Sequence, residues 1–351
     1  MVSRYAWVTK VVWIGLIMVA ILIWGAAWTP ALAAPVPVQL ADEFRPQSIA
    51  VAEDGGLLIS GSVGKPLASA AAMTALDATG TVKWTAMGTI SEGDAFYRDA
   101  IYLSDGTIAS CRTAEDDGWL IELTKNGERT WVGNAAGNVL DIAAVNDDFV
   151  VAQTIESALS LSRYDAKGEM KWMGTIHGGV QHCGILADGD GFIVYGYRTM
   201  EDIGAIGIVA AIDDNGTLRW TRAFEWDAYH AAAMGTNGQF MLAGSHNDAT
   251  FVAGYGADGV QLWHIDAPTL NGEVLAATEY ADGYLVALNH GEPTTVSLVH
   301  IDATGNVAAE WTVSGEMDYQ SVWLLDGPQL ITSGPIGEAY QTVIQPIELP
   351  Q

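Results

Sequence analysis

The residues best suited to chemistry are spread along the chain at long intervals and do not form a local motif. Two histidines and two aspartates stand at aligned positions, and these side chains are ligand types for zinc or another transition metal. The candidate metal ligands are His182, His230, Asp99 and Asp141. The same polar positions would also line a water-filled channel that binds no metal, and both interpretations stay open.

A larger set of residues forms the candidate ligand contacts. Its members open a predicted innermost strand or lie in Phe224–His230, the densest aromatic and charged stretch outside the repeats. The set is Gln47, Asp99, Asp141, His182, His230, Ser321, Tyr229 and Trp226. Alignment of the strands puts Ala276 at the same position in one further unit. We expect these residues to bind a cation or a small polar ligand.

No catalytic residue can be assigned by motif. The sequence contains no G-x-S-x-G elbow, no phosphate-binding Walker loop and no H-E-x-x-H pair. We therefore expect a non-catalytic protein. A hydrolase, a lactonase or a quinone-dependent oxidoreductase acting at the same polar positions is one alternative. A glycan or surface-polymer binder is another, suggested by the aromatic residues Trp119, Trp226 and Tyr229.

Recurring tryptophans define the elements that must position these residues. They are Trp84, Trp131, Trp172, Trp220, Trp263 and Trp311. In the first five units a glycine precedes the tryptophan by four residues, in a turn that joins two strands. Glycine suits such a hairpin because the turn needs a residue with positive φ. Gly305 precedes Trp311 by six residues, which predicts a small insertion or bulge in the sixth unit.

A second hairpin precedes each tryptophan hairpin, so that one unit contains four strands. This upstream hairpin occurs seven times, whereas the tryptophan hairpin occurs six times. The segment Pro35–Ala41 would supply the strand that the last unit lacks, and this closure removes two free sheet edges. The sequence therefore predicts an all-β, seven-bladed β-propeller of four-stranded antiparallel blades over residues 35–351, closed by the N-terminal strand.

The units, with their LDxxGxxxW pattern, resemble the repeats of the PQQ-like, quinoprotein-type propellers over nearly the whole of residues 35–351. The resemblance implies that the six repeated tryptophans are structural and dock between neighbouring blades. It does not imply the quinone cofactor, because the vicinal cysteine pair of some quinoproteins is absent. The two cysteines, Cys111 and Cys183, are far apart in the sequence and are predicted to lie two blades apart.

The first 34 residues have the composition of an export segment. Arg4 and Lys10 precede an uncharged apolar run, Val11–Trp28, and Ala31–Ala33 forms an A-x-A cleavage pattern. The run is longer than a usual signal core and is also long enough for a membrane anchor, so residues 1–34 are a signal peptide or an anchor. Both alternatives export the rest of the chain to the periplasm, the outer face of the cytoplasmic membrane or the medium. Membrane contact is expected only through residues 11–28, and only if the leader is retained as an anchor.

The charge balance restricts the choice of partners. The chain carries 42 acidic and 15 basic side chains and a formal net charge of -27. Such a surface repels nucleic-acid phosphates, so nucleic acid is not an expected partner. We expect a binding or scaffold module of the bacterial cell envelope whose protein partner presents a basic surface. An accessory subunit of a membrane-associated complex is one form that such a module takes. Solubility of an exported protein would by itself also account for the acidic surface.

Overall fold

The protein is described by a computed structural model that covers most of the chain after residue 36. The described residues are 37–38, 40, 44–65, 68–88, 95–113, 118–156, 158–176, 180, 182–189, 191–200, 204–225, 227–246, 249–266, 270, 272–289, 295–314, 321–325, 329–336 and 339–346. The predicted export segment 1–34 lies outside these residues. Within them, no helix has the length and apolar character needed to cross a membrane.

Six four-stranded antiparallel sheets, numbered 1 to 6, are each built from consecutive strands. Sheet 1 contains β2 (Phe44–Val51), β3 (Leu57–Lys65), β4 (Ala68–Leu76) and β5 (Val82–Met87). Sheet 2 contains β6 (Tyr97–Tyr102), β7 (Ile108–Thr113), β8 (Trp119–Lys125) and β9 (Glu128–Asn134). Sheet 3 contains β10 (Asn138–Val145), β11 (Asp148–Ile155), β12 (Ala158–Tyr164) and β13 (Met170–Ile176). Sheet 4 contains β14 (His182–Ala187), β15 (Gly191–Met200), β16 (Gly204–Asp213) and β17 (Leu218–Glu225). Sheet 5 contains β18 (Asp227–Met234), β19 (Phe240–His246), β20 (Ala249–Tyr255) and β21 (Gln261–Asp266). Sheet 6 contains β22 (Glu273–Tyr280), β23 (Gly283–Asn289), β24 (Thr295–Asp302) and β25 (Val307–Ser314). A single 3-10 turn, Thr236–Gly238, lies between β18 and β19.

A further sheet, here called the terminal sheet, combines both ends of the described chain. Its order is β1-β28-β27-β26, and its strands are β1 (Pro37–Val38), β26 (Ser321–Leu325), β27 (Gln329–Ile336) and β28 (Ala339–Pro346). The register of β1 pairs Pro37 with Val343 and Val38 with Thr342. The predicted all-β fold of repeated four-stranded antiparallel units is therefore confirmed, and the arrangement is consistent with a propeller-like fold.

The strands differ in burial according to their place in the sheet. The second strands begin with continuous apolar runs such as Leu57–Ile59 and Phe192–Val194, and these residues are buried. The fourth strands alternate between partly buried and exposed residues, as in β5 and β13. A continuous apolar run is expected where neighbouring sheets cover both faces of a strand. Alternating buried and exposed residues are expected where only one face is covered. The central strands of each sheet therefore lie between its two neighbours.

The tryptophan of one sheet docks on the glycine turn of the next. The indole of Trp172 donates from Nε1 to the carbonyl oxygen of Asp214 at 3.0 Å, and that of Trp220 donates to Ala257 at 3.0 Å. Gly259 has φ +72°, and a Cβ added there would lie 2.7 Å from the Trp220 ring. The turn needs glycine both for its backbone conformation and for this close approach.

Trp311 departs from the predicted pattern. The turn of sheet 6 contains no insertion, because Gly305 donates to Asp302 just as Gly216 donates to Asp213 in sheet 4. Register places Trp311 opposite Leu298, two residues further along the strand than the position that Trp263 holds in sheet 5. The expected insertion is thus wrong. The side chain stays on the same face because strands have a two-residue period, and it packs against the cluster that contains Val322 of the terminal sheet.

Neighbouring sheets contact one another mainly through their first strands. These strands are β2, β6, β10, β14, β18, β22 and β26; each contacts the next in that order, and β26 also contacts β2. Cys111 lies in sheet 2 and Cys183 in sheet 4, and both are buried free thiols. The candidate site residues that fall within the described part of the chain lie on these first strands, close to where the strands begin.

Candidate functional site

A polar cavity of about 330 Å³ lies where the first strands begin. It is lined by Gln47, Ser48, Ile49, Arg98, Asp99, Leu140, Asp141, His182, Cys183, Gly184, Tyr195, His230 and Trp323. Five of the residues predicted as ligand contacts therefore line one cavity, although they come from five different sheets. They are Gln47, Asp99, Asp141, His182 and His230.

A β-bulge near the start of five first strands decides which side chains reach the cavity. In each case one residue has no partner on the second strand; these residues are Gln47, Arg98, Leu140, His230 and Leu275. The sequence alignment treated Asp99, Asp141 and Ala276 as equivalent to Gln47 and His230, and this equivalence is wrong by one residue. Five of the aligned strands share this bulge, and only the strand register, which the sequence does not show, identifies the bulged residue in each sheet.

The residues that follow the bulge form a second row. By register this row consists of Ser48, Asp99, Asp141, Gly184, Ala231 and Ala276 in sheets 1 to 6. Sheets 1 to 3 thus place a polar side chain there, and sheets 4 to 6 place a small one. At Gly184 a Cβ would collide with the ring of Tyr195, which fills the space on the second strand. The cavity is therefore polar on one side and bounded by an aromatic ring on another.

Ser48, Asp99 and Asp141 form a hydrogen-bonded chain across neighbouring sheets. The Ser48 hydroxyl donates to Asp99 Oδ1, and the carboxyl groups of Asp99 and Asp141 hydrogen-bond to each other. The backbone N–H of Ile185 donates to Asp141 Oδ2 at 2.7 Å. This chain connects the first strands of sheets 1, 2, 3 and 4. A hydrogen bond between two carboxyl groups requires one of them to carry a proton.

Burial and mutual repulsion keep a proton on this pair. Burial raises the pKa of Asp99 and raises the pKa of Asp141 well above its usual range, and the charge of Asp99 raises the Asp141 pKa further. Two carboxyl groups that are hydrogen-bonded to each other resist double ionisation because their negative charges repel, so they titrate as a pair. Beside them, Arg98 donates from Nε to the carbonyl oxygen of Leu140 at 2.8 Å. The pair is a proton-sharing acid beside a fixed cation.

His182 and His230 lie on the other side of the cavity around Tyr197. The Tyr197 ring centroid is 5.9 Å from that of His182 and 5.5 Å from that of His230. Burial lowers the pKa of both imidazoles, and the neighbouring His230 and Arg98 lower that of His182 further. His230 Nε2 lies 3.3 Å from the Ser245 hydroxyl. At neutral pH both rings are uncharged and offer one donor and one acceptor each.

The remaining predicted contacts fall elsewhere. Tyr229 is fully buried in the core of sheet 5, where its hydroxyl donates to Asp227 Oδ2 at 3.2 Å. Ser321 is the first residue of β26, the first strand of the terminal sheet. The cavity lies where the first strands of the other sheets begin, so Ser321 holds the matching place in the terminal sheet. Trp226 lies outside the described residues. Trp323 lines the cavity but was not predicted, and the only signal for it was a tryptophan on the first strand of the last unit.

The four candidate metal ligands do not converge. They form an aspartate pair and a histidine pair on different parts of the cavity wall. Across the described part of the chain, no three His, Cys, Asp or Glu side chains lie close enough together to hold a metal ion. The geometry instead offers hydrogen-bond donors and acceptors in fixed positions, which is the chemistry of a site for a small polar molecule.

Comparison of the sequence with protein-family models and with characterised proteins gives no match. The interpretation of the cavity therefore depends on its geometry and on the chemistry of its lining.

Proposed function

We propose that this protein is a closed seven-bladed β-propeller that serves as a non-catalytic binding module and holds a small polar ligand in the cavity at the start of its first strands. Each sheet would be one blade, and the terminal sheet would close the ring. Contacts between successive first strands, including those between β26 and β2, support this arrangement. The tryptophan docking between sheets supports the resemblance to PQQ-like repeats in fold alone.

The observation that carries the function is the gathering of five predicted contacts in one cavity. Gln47, Asp99, Asp141, His182 and His230 come from strands that are far apart in sequence, yet they line a single volume of about 330 Å³. That volume lies in the range of small-molecule sites, about 300–1,000 Å³. The proton on the aspartate pair and the two neutral imidazoles supply both donors and acceptors without a large net charge.

The binding module would act outside the cytoplasm. The basic residues, apolar run and A-x-A pattern within residues 1–34 support export, by cleavage or as an anchor. The formal net charge of -27 supports a protein partner with a basic surface. An association of that kind weakens with salt, because ions screen charges beyond about 10 Å at 0.1 M ionic strength.

Ligand binding is tested by native mass spectrometry of the purified protein and of a His182→Ala/His230→Ala double variant. We expect a small molecule to co-purify with the wild type and to be lost from the double variant. The matched control is His264→Ala, which removes an imidazole paired with Asp266 on an outer strand. If no molecule accompanies the wild type, or if the double variant retains it, the proposed site is wrong.

A hydrolase acting at the same cavity is the second candidate, because the shared proton between Asp99 and Asp141 is suited to general acid–base catalysis. Hydrolysis of ester and lactone probes by the purified protein tests it. Turnover that disappears in Asp141→Asn but persists in His264→Ala would favour the hydrolase over the binding module. No turnover in the wild type would favour the binding module.

A further inference from the structure

A second cavity lies at the opposite end of the sheets, between sheets 1 and 2. Its volume is about 260 Å³, and it is bounded by the turn after β2, the turn after β6 and the turn before β9. Its lining is Ala52, Glu53, Asp54, Ala75, Lys83, Trp84, Tyr102, Leu103, Ser104, Gly106, Ile108 and Asn126. None of these residues lines the cavity at the start of the first strands.

This junction lacks the aromatic ring that packs against the tryptophan in four other junctions. The tryptophans of sheets 2 to 5 each meet an aromatic ring of the next sheet, with centroid distances of 5.9 to 6.2 Å; these rings belong to Tyr164, Phe192, Phe240 and Tyr284. By register, Ile108 holds in sheet 2 the place that Phe192 and Phe240 hold in their sheets. A branched aliphatic side chain in place of a ring leaves space beside Trp84.

The turn that receives Trp84 is also shorter than its counterparts. Lys125 pairs with Glu128, so that only Asn126 and Gly127 form the turn, both with positive φ. In three other junctions the indole N–H donates to a carbonyl oxygen of the receiving turn at 3.0 Å. Among the described residues, Trp84 Nε1 makes no hydrogen bond. The indole N–H is therefore available to a ligand.

The groups around Trp84 suit an uncharged molecule with several hydroxyls. Asp54 is already neutralised by Lys83, whose Nζ lies 2.6 Å from Asp54 Oδ2. Glu53 and Asn126 are exposed side chains without a partner in the described structure, and the Tyr102 ring is partly buried beside them. An aromatic surface flanked by donors and acceptors is the arrangement that packs the apolar face of a sugar ring and binds its hydroxyls.

We infer that the cavity beside Trp84 binds one monosaccharide ring, which packs on the exposed part of the indole and hydrogen-bonds to Trp84 Nε1, Glu53 and Asn126. The volume lies just below that of drug-sized ligand sites, about 300–1,000 Å³, so it suits a single ring. The inference is independent of the function proposed for the other cavity.

The test is ligand-observed saturation-transfer NMR on the full-length protein with D-glucose, D-galactose and N-acetyl-D-glucosamine. We expect at least one sugar to bind the wild type with a dissociation constant in the millimolar range. Ile108→Phe restores the ring found at the other junctions, and it should weaken binding at least about tenfold while the melting temperature is kept or raised. Ile108→Val leaves the cavity open and should change affinity less than about threefold.

A second variant tests sugar binding even if Ile108→Phe does not fold. Glu53→Ala changes an exposed turn residue, and it should weaken binding by roughly three- to tenfold through the loss of one charged acceptor. The His182→Ala/His230→Ala variant should bind the sugar as the wild type does. Absence of binding by all three sugars, or equal binding by the wild type and Ile108→Phe, would overturn the inference.

Discussion

The carboxyl groups of Asp99 and Asp141 hydrogen-bond to each other across the first strands of sheets 2 and 3. The pair also receives a hydroxyl from Ser48 and the backbone N–H of Ile185, so it links four neighbouring sheets. One proton shared by two acids is therefore part of the packing between sheets as well as part of the cavity wall.

The aspartate pair should make stability fall toward alkaline pH. Because the folded-state pKa of Asp141 is raised above its unfolded value, the stabilisation is complete below about pH 4 and is lost as the pH rises through the raised pKa. Asp141→Asn cannot ionise and can still hydrogen-bond to Asp99. We expect the melting temperature of the variant to change less between pH 5 and pH 9 than that of the wild type.

Asp302 provides a control, because its pKa is shifted in the opposite direction to that of Asp141. Hydrogen bonds from the backbone N–H of Asn306 and from the Thr304 side chain lower the pKa of Asp302, so its stabilisation is present above the unfolded pKa and is lost on acidification. Asp302→Asn should flatten the acid side of the melting profile and leave the alkaline side unchanged. Identical alkaline slopes in wild type and Asp141→Asn would contradict the shared proton.

The two cavity histidines should be electrostatically coupled. Burial lowers the pKa of His182 most, and the charge of His230 is the next cause. In His230→Ala, the pKa of His182 should therefore rise toward its ordinary value of about 6.5. Proton NMR of the imidazole signals between pH 4 and pH 8 measures this shift. An unchanged His182 titration in the variant would show that the rings do not interact.

Tryptophan docking should make some turn glycines far less replaceable than others. Gly259 and Gly106 both have positive φ, but a Cβ would lie 2.7 Å from the Trp220 ring at the first and near no other atom at the second. Gly106→Ala should cost about 1 kcal/mol of unfolding free energy from backbone strain alone. Gly259→Ala should cost about 2 kcal/mol more, because overpacking is added. Urea denaturation compares the two, and equal losses would argue against docking.

Buried Glu122 should stabilise the fold through its ion pairs. It is fully buried, lies 2.7 Å from Arg112 and 3.2 Å from Arg129, and accepts the Tyr97 hydroxyl at 2.9 Å. Glu122→Ala removes the acceptor of the buried Tyr97 hydroxyl and the carboxylate partner of both arginines, and it should cost about 2–3 kcal/mol. Lys125→Ala breaks only an exposed pair with Asp105 and should cost less than about 1 kcal/mol. Chemical denaturation would contradict this if the two variants were equally stable.

The repeat was predictable from the sequence because it is marked by tryptophans, which are large, and by turn glycines, which adopt positive φ. Gly216 stands four residues before Trp220, and the same spacing in the first five units identified the repeat. The bulges left no such signal, so Asp99 was aligned with Gln47 although the two differ by one position. Trp311 was misread for the reverse reason, since a two-residue shift along a strand keeps a side chain on the same face.

The cavity beside Trp84 was not predictable from the repeat pattern. Its origin is the combination of a two-residue turn at Asn126–Gly127 with an aliphatic residue at Ile108, and each change alone is an ordinary variation of the repeat. Only the three-dimensional register brings both changes to the same indole. Trp323 was missed because the sequence alignment selected Ser321, two residues earlier on the same strand, as the residue of the last unit that faces the cavity.

The pairing of Pro37 with Val343 has a kinetic consequence. Sheets 1 to 6 each consist of contiguous chain, so their strands meet after short loop closures and can form in order during synthesis. The terminal sheet is different, because β1 must wait until nearly the whole described chain has been made. We therefore expect the two ends to join late in folding. Until they join, β28 presents an unpaired edge, and this interval is when the nascent protein is most exposed to aggregation.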